Sequence, residues 1–165
     1  MRKIFVTCVI GLCTAFGAAA QDVHVVLTVS GGEAEYRDQF IDWGKRLIAA
    51  LEKQADADPA RIHWLAERAN GQPAQAGDVS LESIEPMITK AADQLGEADD
   101  LYIYIIGHGS AYSRESKFHI PGPDVSAEDF AGYLEGVSAR RIVILNETPS
   151  SAGWINVLSG PNRVM

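Results

Sequence analysis

The chain has 165 residues, enough for one domain with a real core, and its 14 basic against 22 acidic residues give a formal net charge of −8. That acidic balance argues against nucleic acid or an anionic membrane surface as a partner. Both cysteines, Cys8 and Cys13, lie within the first twenty residues, so the remainder offers no disulfide, thiolate metal site or cysteine nucleophile.

Residues 1–20 read as a secretory signal peptide. Arg2 and Lys3 form a positive start, Ile4 to Phe16 is an apolar run, and Ala18-Ala19-Ala20 is a small-residue cleavage site. The run is too short for a comfortable membrane span. Cleavage after Ala20 predicts a secreted or periplasmic protein, free of the membrane. It also removes two of the 14 basic residues, leaving 12 against 22 acidic ones and a net charge of −10.

The domain then occupies residues 21–165. Residues 23–30 are mostly apolar and predict a first strand, ended by Gly31-Gly32. That pair is not a dinucleotide fingerprint, because the third glycine is missing and Glu33 and Glu35 would face a phosphate. Tyr36, Phe40, Trp43, Leu47 and Leu51 recur at spacings of three and four, predicting a helix over 34–54 with Trp43 against the sheet. Asp56 to Pro59 breaks it. Residues 61–67 predict a second strand with a structural His63, and residues 70–78 an irregular loop. A second helix follows from Ser80 or Ser83 to Leu95, closed by Gly96. Pro86 fits it only if Ser83 is the cap.

Leu101 to Ile106 is an unbroken apolar run, the pattern of a strand buried on both faces of a parallel sheet. It stops at Gly107-His108-Gly109-Ser110. Glycines on both sides of His108 permit a sharp turn and close backbone approach, and present the imidazole where open α/β sheets place their ligand crevices. Residues 111–117 read as a polar connector, and 118–124 as a short extended piece and a turn. Ser126 to Asp129 opens a helix that turns Phe130, Tyr133 and Leu134 inward. Residues 141–145 predict a fourth buried strand. It ends in a polar turn, Asn146 to Gly153, before a short helix over 154–158 and a turn at 160–162 opening into a fifth strand. The alternation predicts an α/β fold: three layers, helices on both faces of a mainly parallel sheet. An ending in a strand's first residues makes a truncated C-terminus the expectation.

Two buried strands therefore end in polar turns, at His108 and at Thr148. As sheet neighbours they would converge on one crevice with a histidine and a hydroxyl. Here the chain resembles the caspase-like (clan CD) cysteine peptidases, above all their legumain-like and bacterial caspase-like members. In that family one core strand ends in His-Gly, whose histidine is the base. The next ends in a segment such as Asp-Ala-Cys-x-Ser-Gly, whose cysteine is the nucleophile. Tyr104 to Ser110 resembles the first motif, Pro121 to Phe130 the approach to the intervening helix, and Gly160 to Val164 the approach to the following strand.

The resemblance implies that His108 is the base position, followed by Gly109. It puts Thr148 in the nucleophile slot in place of cysteine; a shifted register puts Ser150 there. A hydroxyl needs a well-aligned base that a thiolate does not, and Pro149 has no N–H to serve an oxyanion hole. The expectation is a catalytically degenerate, caspase-like domain that binds a peptide or protein. Two alternatives stay open: a hydrolase using Thr148 or Ser150 with His108 as base, and a flavodoxin-like binder of small molecules. No cofactor or metal is expected, since His24, His63, His108 and His119 lack ligand spacing and no phosphate-cradling loop is present.

Overall fold

In chain order the described elements are β1 (Val23–Thr28), α1 (Ala34–Gln54), β2 (Ile62–Ala66), β3 (Gly77–Asp78), α2 (Leu81–Ala92), β4 (Asp100–Ile106), β5 (Gly109–Tyr112), β6 (Glu115–Phe118), β7 (Val125–Ser126), α3 (Ala127–Tyr133), β8 (Arg141–Asn146), α4 (Ile155–Leu158) and β9 (Arg163–Val164). The computed structural model describes residues 21–30, 32–67, 75–112 and 115–165. The predicted signal peptide, Gly31 of the predicted glycine pair, residues 70–74 of the predicted loop and residues 113–114 of the predicted connector lie outside them.

Six strands form one sheet in the order β3-β2-β1-β4-β8-β9, every pair parallel. Val23 pairs with Leu101 and Thr28 with Ile106; Leu101 in turn pairs with Ile142 and Ile105 with Asn146. All six residues of β1 are buried, which is why its sequence does not alternate. Val25, Leu27, Ile103, Ile105 and Ile144 face a layer built from α2, α3 and Trp154, where Ile84, Ile88 and Phe130 close the core. On the opposite face Val26 meets Ile41 of α1 and Trp64 of β2. The result is the expected three-layer α/β/α arrangement. No described helix is long and apolar enough to cross a membrane.

Local chemistry explains the boundaries. The backbone N–H of Asp129 donates to Ser126 Oγ at 3.0 Å, and the N–H of Ser126 donates to Asp129 Oδ2 at 3.0 Å. Aspartate thus completes the capping box that the sequence left short of glutamate. His63 is structural as expected: it is buried, with Nε2 2.9 Å from Gln94 Oε1.

Three expectations are corrected. Trp43 is 44% exposed rather than packed on the sheet. The helix makes its close approach at Gly44, where an added Cβ would lie 2.7 Å from Thr28 Cγ2, so the inward stripe is Phe40, Ile41, Gly44 and Leu51. Trp43 falls beside that stripe and leans on Phe40, ring centroids 5.5 Å apart. Ser80, not Ser83, caps α2, and Pro86 lies inside the helix. Ser83 instead occupies the third helical position and closes the capping box: its Oγ accepts from Ser80 N–H at 2.9 Å. Pro86 removes one helical N–H, but it sits on an exposed face where water reaches the orphaned carbonyl. Finally, the polar connector after His108 is a hairpin, with Gly109 opposite Phe118 and Tyr112 opposite Glu115. Its alternation of exposed Glu115, buried Ser116, half-buried Lys117 and buried Phe118 is a strand pattern hidden by serine and lysine.

Candidate functional site

Strand order fixes where a site can form. From β1 the chain moves outward to β2 and β3, then returns across β1 to β4 and continues outward to β8 and β9. The direction of winding therefore reverses between β1 and β4. At such a switch point the loops leaving adjacent strands diverge and leave a crevice beyond the strands' carboxyl ends. His108 stands at this point.

The backbone there is tied from two sides, by the residues after β1 and by His119. Val29 N–H donates to Ile106 O at 2.9 Å and His108 N–H to Ser30 O at 3.3 Å. Ser30 N–H donates to His119 O at 2.8 Å, and His119 N–H to His108 O at 3.0 Å. Gly107 has φ +153°, and an added Cβ would come within 2.4 Å of Val29 Cγ2, so only glycine makes this turn. Gly109 serves a different need. A Cβ there would lie 2.6 Å from Lys117 O, 2.9 Å from Pro149 O and 3.0 Å from Thr148 Oγ1. The turns after β4 and β8 are thus in direct contact, as their polar ends predicted.

The side chains are arranged less simply. The half-buried His108 imidazole packs in T-shaped contact with Tyr36, ring centroids 5.2 Å apart, and with Phe40, 5.0 Å apart, both on the first turns of α1. Thr148 is 5% exposed. Its hydroxyl donates to Asn146 Oδ1 at 2.7 Å, and its N–H donates to the same oxygen at 3.0 Å. Asn146 Nδ2 is buried and has no hydrogen-bond partner among the described residues. Ser150 is half-buried in a left-handed conformation, φ +71°, at the head of the short helical turn Ser151–Trp154, and its side chain does not cap that turn. Among the described residues, no hydrogen bond joins the His108 ring to Thr148 or Ser150.

Another pair was not foreseen. Ser110 Oγ and His119 Nε2 are 2.9 Å apart, on the hairpin that leaves His108, with Asp124 Oδ2 3.9 Å from the same nitrogen. Ser110 reads in the sequence as part of the turn and His119 as part of a short extended piece; only the hairpin register brings them together. Asn146 was likewise passed over, although a polar residue closing an apolar strand was a visible signal. Among the described residues no three His, Asp or Glu side chains converge as metal ligands.

Fold and site together define a parallel α/β domain with a histidine-bearing turn at its switch point. No protein-family model matches the chain, and no curated protein matches it.

Proposed function

We propose that this is a caspase-like domain that has lost peptidase chemistry and works by holding a peptide or protein partner at the His108 crevice, after export to the periplasm or the exterior. One observation carries the reading: the buried Thr148 hydroxyl donates to Asn146 Oδ1 at 2.7 Å. A hydroxyl has one proton to donate, so this one is not offered to His108. Pro149, next in the chain, supplies no N–H to a developing oxyanion. What remains suits binding: an imidazole held in T-shaped contact with two aromatic rings, an exposed Tyr36 beside it, and the exposed strand β5 leading away.

Peptides selected from a random library on the whole protein test this. They should bind wild type and lose affinity with His108→Ala and with Tyr36→Ala. Selected peptides that bind both variants undiminished would place recognition elsewhere and defeat the proposal.

A further inference from the structure

The opposite end of the sheet holds a cavity of about 350 Å³. Its position follows from register. His24 of β1 lies opposite Tyr102 of β4, and Tyr104 is two residues on, so all three rings project from the same face. They stack: His24 is 5.2 Å from Tyr102 and 6.1 Å from Tyr104, and the tyrosines are 6.5 Å apart at 15°. The last turn of α1 and the segment after it form the facing wall, bringing Asp56 and Asp58 to the rim, while Asp22 flanks the stack. Tyr102 precedes His108 by six residues of extended chain, so the cavity is roughly 20 Å from the crevice.

The polar groups are unevenly matched. Arg61 also lines the cavity, but its guanidinium pairs with Asp99 at 2.7 Å and donates to the Gln21 and Asp22 carbonyls. Among the described residues, Asp22 and Asp58 accept only backbone N–H bonds, at 3.0 Å from Asp100 and 2.9 Å from Ala60. Among the described residues none of Asp22, Asp56 and Asp58 has an ion-pair partner. His24 is 6% exposed; its Nδ1 lies 3.5 Å from Tyr104 Oη, and its Nε2 has no partner among the described residues. Burial lowers the His24 pKa, against the pull of Asp22, and burial above all pushes the Tyr104 phenol up to about 12. The cavity thus has a neutral aromatic floor and an anionic rim.

We propose that this cavity binds an organic cation, an amine or guanidinium group that lies on the Tyr102–His24–Tyr104 stack with its charge toward Asp22, Asp56 and Asp58. Aromatic faces attract such cations through the ring quadrupole, and the partly desolvated setting strengthens the attraction. With the His24 proton on Nδ1, facing Tyr104, the Nε2 lone pair accepts an N–H from the ligand. Three carboxylates exclude an anion. The volume suits a guanidinium on a short chain. The cation could be a free amine or an arginine side chain within a peptide.

The test titrates the whole protein with arginine amide, with its uncharged counterpart citrulline amide, and with a Gly-Arg-Gly peptide, following the His24 and Tyr102 ring resonances by NMR. Arginine amide should shift both rings, and citrulline amide should bind at least about tenfold more weakly. Tyr102→Leu should weaken arginine amide about fivefold. Asp56→Asn, an exposed change that leaves the fold alone, should weaken it about two- to fivefold. His108→Ala should change nothing, which separates this site from the proposed crevice. A peptide that binds about tenfold tighter than arginine amide assigns the cation to a polypeptide; equal affinity assigns it to a free amine. Equal binding of citrulline amide, or ring resonances unmoved at about 10 mM arginine amide, overturns the proposal.

Discussion

Gly109→Ala should destabilise the protein because it pushes the hairpin off the turn after β8. The new Cβ would meet Lys117 O at 2.6 Å, Pro149 O at 2.9 Å and Thr148 Oγ1 at 3.0 Å. Ordinary contact begins at 3.4 Å, so the nearest clash is roughly 0.8 Å too close. Two of the three atoms are backbone oxygens, which no rotamer change can clear. Overpacking of this kind costs about 1–3 kcal/mol. For a chain of this size that is a fall in Tm of about 3–10 °C. Gly132→Ala is the control: Gly132 lies within α3 with nothing within 4 Å of its added Cβ. There alanine only improves helix propensity, a gain of about 0.5–1 kcal/mol. Thermal melts, with denaturant midpoints at unchanged m-value, compare the two variants. A Gly109→Ala protein melting level with wild type would refute the contact between the two turns.

Asn146→Ala removes the acceptor for both Thr148 donors and should cost about 1–3 kcal/mol in denaturant titration. Trp154→Ala should cost about 3–5 kcal/mol by the same measure, since Trp154 is fully buried against Phe118 at 5.4 Å and Phe130 at 5.6 Å. Acid should weaken the fold through three carboxyls whose pKa values are lowered. Hydrogen bonds from Gly96 N–H at Asp99, and from Ser126 at Asp129, favour the ionised form. At Asp100 burial opposes ionisation, but the forks of Arg141 and Arg140, at 2.6–3.0 Å, outweigh it. Lowered folded values mean that this stability is complete above the ordinary carboxyl value of 3.8 and is lost as pH falls below it. Unfolding free energy measured from pH 6 to pH 2 should fall at the acid end, and Asp100→Asn should flatten part of that slope.

The sheet was legible because β1 is buried along its whole length and β4 and β8 carry long apolar runs. Yet β8 is covered on one face only, with Ile142 and Ile144 buried and Leu145 37% exposed, where its sequence predicts burial on both. His108 was legible for the same reason, a polar turn interrupting such a run between two glycines. Trp43 misled because a spacing of three and four does not say which edge of the stripe meets the sheet; Gly44, one residue on, decides it. The hairpin was missed because its buried positions include Ser116, which carries no hydrophobic signal. Ser110 and His119, nine residues apart, are joined only by hairpin register, and the His24–Tyr102–Tyr104 stack depends on pairing between strands 78 residues apart. Neither kind of pairing is written in local sequence.

The most direct test of the central claim is hydrolysis of a positional peptide library by the whole protein and by its His108→Ala variant, read by mass spectrometry of the products. The account predicts no cleavage above the background shared by both, because the Thr148 hydroxyl is committed to Asn146 and is not aligned with the imidazole. Sequence-selective cleavage by wild type that disappears with His108→Ala would contradict it.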